Sequence, residues 1–232
     1  MALTKVIGSG VQGISNSSDA TAMTIGSDEV VDFASNADFI DGRGIRLGAG
    51  NDFQLYHDGT DNHINVTGAQ TLNIQTSGNN AIVVDANGHV TKPLQPAFLA
   101  QPASAQNNIA VGTAVAVALG TERYDQNADF ASNTFTAPVT GKYMLCANLF
   151  LIDIDSAANY YQVSIVTSNR TYYWSYDGAS SDEDPNRLQG QVNVVADMDA
   201  SDTATVVITI SSGGSAQTDI ATESYFSGAL IC

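Results

Sequence analysis

The sequence predicts an all-β protein, and three observations predict it. Helical spacing, with apolar residues at i, i+3 and i+4, is missing from every long stretch. Short runs of alternating apolar and polar residues recur instead; Tyr161, Val163 and Ile165 fall on one face of such a run, and Tyr143, Leu145, Ala147 and Leu149 on one face of another. Gly, Asn, Asp and Ser cut the runs at close intervals, as in Asp58-Gly59, Ser77-Gly78 and Asn87-Gly88, which suit turns that need a positive φ. Many short strands at nearly even spacing read as a β-sandwich, with the jelly roll the leading arrangement.

The elements divide into three zones. Residues 1–38 are small and polar, and their few apolar positions could not cover one another in a monomer. We read them as an extended arm, or strands needing a partner, with disorder the competing reading. Residues 39–92 carry short strands at Gly44–Leu47, Phe53–His57, His63–Val66, Thr71–Gln75 and Ala81–Asp85. Some fifty residues this thinly apolar bury too little surface to fold alone. They become reasonable if copies of the chain wrap together, which predicts an oligomeric β shaft. Pro93, Pro96 and Pro102 crowd the segment "TKPLQPAFLAQPAS" and mark a boundary, because proline favours an extended chain.

From Ala97 the strands lengthen and become more apolar. They are expected at Ala97–Ala100, Ala114–Leu119, Thr134–Ala137, Lys142–Leu151, Tyr160–Thr167, Thr171–Tyr176, Gln189–Val195, Ala204–Ile210 and Ser224–Ile231. Gly141 is read as a tight turn before Tyr143 enters the core, and Gly228 as a point of close strand approach.

Charge narrows the function. The net charge is −16 and only 8 residues are Lys or Arg, which argues against nucleic acid and against an anionic membrane surface. No apolar run approaches the ~20 residues of a membrane-spanning helix. The start, "MALTKVIGSGVQG", has no apolar leader, so the expectation is a soluble protein made in a cytoplasm. Two cysteines, Cys146 and Cys232, are too few for a disulfide framework; Cys146 is expected as a buried thiol, and a Cys146–Cys232 bridge is the alternative.

Three landmarks in order resemble the globular C1q/TNF-like jelly-roll family: Ala97-Phe98 at the first strand; Tyr124-Asp125, Phe130, Phe135, Pro138, Gly141 and Tyr143 in the middle; and Tyr225-Phe226-Ser227-Gly228 at the end. The segment Asp199-Ala200-Ser201-Asp202 stands where that family often has a Gly-Asp turn. "GIRLGAGNDFQLYHDGTDNHI" and "NAIVVDANGHVTKPLQPAFLA" are similar to shaft segments and shaft-to-tip junctions of bacteriophage fibres, and residues 1–20 to their virion-docking starts. The resemblance implies a homotrimer with a docking arm (1–38), an intertwined trimeric β shaft (39–92) and a C1q-like jelly-roll tip (93–232). It also implies a place on the virion, tail or head; trimers of that kind often hold calcium near the three-fold apex, but the expectation for this chain is no cofactor, with Ca²⁺ the alternative.

The candidate sites follow. His57 and His63 flank an Asp-Gly turn and could meet their copies at a three-fold axis around a metal; a solvated turn is the other reading. Asp182, Glu183 and Asp184 offer hard oxygens suited to Ca²⁺, against a solvated acidic loop. Asp153 and Asp155, placed at a strand end, are weighed as glycosidase acids and read instead as loop residues. No nucleophile motif or phosphate-cradling loop is present, so the chain is read as no enzyme. Receptor contact is assigned to Arg170, Tyr172, Tyr173, Trp174, Tyr176 and Arg187, since Tyr, Trp and Arg dominate binding hot spots; alternation turns about half of the rings inward. The expected function is attachment of a virion to a host-surface glycan or protein through a trimeric tip. A head fibre that only stabilises the capsid, and a polysaccharide depolymerase, are the rivals.

Overall fold

The structure, a computed structural model, describes residues 23–25, 31–33, 36–180 and 183–232. The docking arm expected over 1–38 lies almost wholly outside the described residues. The chain divides into two compact units, Met1–Gln70 and Thr71–Cys232.

In the first unit β1 (Met23–Ile25) pairs with β2 (Val31–Phe33), and β3 (Gly44–Leu47), β4 (Phe53–His57) and β5 (Asn62–Val66) form an antiparallel meander. Register sets Ile45 beside Leu55 beside Ile64, and Leu47 beside Phe53 beside Val66. Period-2 alternation therefore collects six apolar side chains on one face of the meander. Ile45, Leu47, Leu55 and Ile64 are nonetheless exposed, Ile64 by 61%.

The second unit opens with the same device. β6 (Leu72–Thr76), β7 (Asn79–Val84) and β8 (Val90–Thr91) form a three-stranded sheet. Ser77 and Gly78, at φ 50° and 79°, make the two-residue turn between the first two strands, with the double left-handed geometry that matches strand twist. Leu72, Val84 and Val90 share a face with Ile74 and Ile82, and Ile74 and Val90 are exposed.

The remaining strands build a sandwich. They are β9 (Ala97–Gln101), β10 (Thr113–Ala116), β11 (Thr121–Asp125), β12 (Phe130–Ala131), β13 (Thr134–Thr136), β14 (Gly141–Ile152), β15 (Tyr160–Thr167), β16 (Thr171–Asp177), β17 (Arg187–Met198), β18 (Thr203–Ile210), β19 (Asp219–Ile220) and β20 (Tyr225–Leu230). One sheet runs β12-β13-β18-β15-β16, with β10 also on β18; the other runs β11-β9-β20-β14-β17, with β19 also on β14. The chain crosses between the sheets from β14 to β15, β16 to β17, β17 to β18 and β18 to β19, with β15 and β16 joined as a hairpin within one sheet, which is the winding of a jelly roll. No α-helix occurs among the described residues.

β14 lies between β20 and β17 and is paired along all twelve residues with β17. Between the sheets Phe98 stacks on Phe130 and Phe135 at 5.0 and 4.8 Å and meets Phe226 edge-on. Tyr143 is fully buried and donates its hydroxyl to the Val139 carbonyl at 2.7 Å, so a polar atom enters the core with a partner. A Cβ on Gly228 would lie 2.7 Å from the Phe98 ring and 2.8 Å from Leu145, the close approach expected there. Gly141 differs from expectation: its φ is not positive, and its lack of a side chain instead admits Leu230 and the Cys232 carbonyl.

Candidate functional site

β16 and β17 end their respective sheets and flank the open side of the sandwich. Alternation turns Tyr172, Trp174 and Tyr176 inward, half-buried against the core, with the Trp174 and Tyr176 rings stacked at 6.3 Å. Gly190 on β17 makes room for the indole, since a Cβ there would sit 2.8 Å from the Trp174 ring. A groove of about 460 Å³ follows these two strands, with Tyr172, Trp174, Gln191 and Asn193 in its walls and no charged residue.

The structure thus separates the six residues expected at one receptor site. Tyr173 points to the opposite face and is 64% exposed. Arg170 stands 3.7 Å from Asp197 in an exposed ion pair. Arg187 lies over the Phe150 ring, 5.7 Å from its centroid. Tyr172, Trp174 and Tyr176 share the inward face of β16, and Tyr173 lines the same groove from the other face.

The outer face of the β9-β20-β14-β17 sheet is also free of charge at its centre. Register sets Ala97 beside Ala229 beside Met144 beside Val195, and Leu99 beside Ser227 beside Cys146 beside Asn193. Met144 and Val195 are 47% and 57% exposed. Cys146 belongs to this face because Leu145 and Ala147 take the inward positions; it is half-buried rather than buried. Burial pushes its thiol pKa up, and both cysteines are free, so the bridge weighed from sequence does not form.

The metal candidates do not converge. His57 pairs with Asn62 and His63 with Tyr56, so the two imidazoles leave opposite faces of the meander. His63 instead stacks on Tyr56 at 4.7 Å and bonds Asp58 at 2.9 Å, while His57 lies 3.9 Å from Asp41. Asp184 accepts bonds from the Ser156 N–H and hydroxyl, which hold its pKa down; Glu183 is exposed, and Asp182 lies outside the described residues. No group of three or more His, Cys, Asp or Glu suited to a metal ion occurs among the described residues. Asp153 and Asp155 follow β14 in a loop rather than sitting on a strand. Asp155 is buried and accepts from the Ala157 and Ser215 N–H groups at 2.8 and 2.5 Å, so it ties two loops together.

Two turns share a construction that the sequence reading missed. One oxygen of Asp58 accepts the Thr60 and Asp61 N–H groups and the other meets His63. One oxygen of Asp85 accepts the Asn87 and His89 N–H groups and the other meets the His89 ring at 2.8 Å. These bonds favour the ionised form and hold both carboxyls below their ordinary value of 3.8, backbone bonding leading for Asp58 and His89 for Asp85. A carboxyl depressed in the folded state stabilises it above the ordinary pKa, and that contribution is lost as pH falls through the folded value. Amide exchange at Thr60, Asp61, Asn87 and His89 is therefore expected to lose protection only in acid well below the ordinary carboxyl value of 3.8. Asp58→Asn and Asp85→Asn variants that keep the parent's protection at these amides at neutral pH would refute the assignment.

No family model matches the chain, and no curated protein matches it. Among solved structures it is similar to the globular domain of a zebrafish complement 1qA protein, at 16% identity and TM-score 0.44, covering 60% of this chain and 98% of that one. It is also similar to murine APRIL, at 9% identity and TM-score 0.43, covering 59% and 99%. A third is the Eiger TNF from S. frugiperda, at 8% identity and TM-score 0.41, covering 60% and 92%.

Proposed function

We propose that the chain is one of three identical subunits of a virion fibre that attaches to a host surface through its C-terminal sandwich. The observation that carries the reading is the set of apolar sheet faces left uncovered. Ile45, Leu55 and Ile64 form an exposed row in one meander, and Ile74 and Val90 stand exposed on the next small sheet. A lone chain keeps these in water, where each leucine-sized side chain forgoes up to the about 1.5–3 kcal/mol that full burial would contribute. Sister copies remove that loss.

The sandwich supplies the means for a ring of three. A closed three-fold ring needs two different, complementary surfaces on each subunit. The uncharged outer face around Met144 and the uncharged open edge along Trp174 are two such surfaces, on a chain whose net charge is −16. The resemblance of residues 39–92 to fibre shafts supports the virion setting, with 1–38 as docking arm and 93–232 as tip. The role is binding and building; three tips per fibre and several fibres per particle turn weak single contacts into firm attachment.

Light scattering on full-length protein at micromolar concentration is expected to give three times 24.2 kDa. A compact, folded monomer overturns the reading. Antibodies to the N- and C-terminal segments, imaged on intact particles, are expected to mark the particle-proximal and distal ends of a tail fibre. Labelling on the capsid would instead favour a head fibre.

A further inference from the structure

We infer that the outer face of the β18-β15-β16 sheet is a binding face for neutral glycans, with Tyr173 and Tyr160 as its stacking platforms. The biological purpose of this face rests on the attachment reading; its chemistry does not.

The face is set by what the core takes. Tyr161, Val163 and Ile165 of β15 are buried, as are Val206 and Ile208 of β18, while Tyr172 and Trp174 of β16 pack against the core. The alternate residues must point away from it. Register then aligns Tyr173, Ser164 and Val207 in one row and Ser175, Gln162 and Thr209 in the next. Tyr160 follows, opposite Asp177.

These two rows carry no charge; Ser164 is buried, which leaves the Ser175 and Thr209 hydroxyls and the Gln162 amide as the polar groups that reach the surface. Asp177 enters only at the end of the strip. Tyr173 and Tyr160 are 64% and 41% exposed, although a solvent face usually spares large rings. Along the strands the two lie four residues apart, about 13 Å at the strand rise. An aromatic ring offers an apolar platform with a polar tip and loses little entropy on contact. Two such platforms with hydroxyl and amide groups between them match the alternating C–H faces and hydroxyls of a short run of sugar rings. A −16 chain repels sialylated or uronate-bearing polymers, so the ligand class is the uncharged one.

The proposed ring uses the other sheet and the open edge; Tyr160, Gln162 and Ser175 lie outside the edge groove, while Tyr173 also lines it. Its flatness predicts weak single-site binding, raised by three copies on one fibre.

The test uses full-length protein on an array of neutral glucans, mannans and galactans, with sialylated and uronate-containing oligosaccharides alongside. At least one neutral series is expected to bind and the anionic ones not. Tyr173→Ala and Tyr160→Ala are each expected to weaken binding about tenfold, while Tyr173→Phe keeps most of it; light scattering and circular dichroism check that each variant keeps its assembly and fold. Binding of anionic glycans only, no binding to any neutral series, or binding indifferent to both alanine variants overturns the inference. Fluorescent wild-type protein is also applied to cells susceptible to the particle that carries it. Wild-type and alanine variants adsorbing equally would refute the glycan face and leave attachment standing. Absence of wild-type adsorption would refute attachment, with the array still judging the face.

Discussion

Phe98→Ala is expected to destabilise the sandwich by about 3–5 kcal/mol, the range for removing a buried phenylalanine. The ring is 1% exposed. It lies on β9 and reaches across the core to Phe130 and Phe135 of the facing sheet, while also meeting Phe226 on its own sheet. Its loss opens a cavity where three other rings converge, and rings fixed by one another relax into a void only partly. A domain with a typical stability of about 5–15 kcal/mol would lose a large share of it. Urea unfolding followed by tyrosine and tryptophan fluorescence measures the change. Phe98→Leu, which keeps most of the volume, is expected to cost less than the alanine variant. A midpoint for Phe98→Ala indistinguishable from the parent would mean that these rings do not join the two sheets.

If the chain forms the proposed trimer, Met144→Asp is expected to convert it to monomers while leaving the sandwich folded. Met144 sits on β14 between Ala229 and Val195, in the middle of the uncharged face, and 47% of it is exposed in a single chain. A carboxylate is therefore tolerated in the monomer. Assembly would take it out of water on a face whose nearest cation on the strand, Lys142, already stands beside Asp197, at several kcal/mol per copy, and a ring repeats the penalty three times. Sedimentation velocity at micromolar concentration reads the assembly, and near-ultraviolet circular dichroism reads the fold. Glu122→Gln, on β11 away from this row, is the control expected to remain trimeric. A trimeric Met144→Asp protein would show that subunits meet elsewhere.

Much of the architecture was legible because alternation is a local signal. Gly44–Leu47, Phe53–His57 and Tyr160–Thr167 form strands with the boundaries read from sequence. The strands missed are those whose pattern is too short or too polar to alternate visibly. Thr121–Asp125 reads "TERYD" and carries a register shift between Glu122 and Tyr124; Asp219–Ile220 is a two-residue pairing. Arg187–Met198 runs longer than expected because β14 offers it a full partner, which only the tertiary fold reveals.

The site was less legible, and for a definite reason. Proximity in "RTYYWSY" suggested one patch, whereas alternation sends Tyr173 to one face and Tyr172, Trp174 and Tyr176 to the other. Tyr160 and Gln162 join Tyr173 only through strand pairing. The histidines drew attention as metal ligands, yet the informative residue was the aspartate before each turn: an Asp followed by N–H groups two to four positions on signals a side-chain-capped turn.

The outer edge of β17 has a practical consequence. Twelve residues long, it carries charge only at Arg187 and Asp197, and the nine residues from Leu188 to Ala196 between them are neutral. Nothing in this stretch works as a gatekeeper against strand addition by a stranger. In the proposed trimer, a subunit diluted away from its sisters, or made faster than they can meet it, thus presents a long template for runaway β-aggregation. Yield in recombinant expression should follow the speed of subunit encounter more closely than the stability of any one subunit.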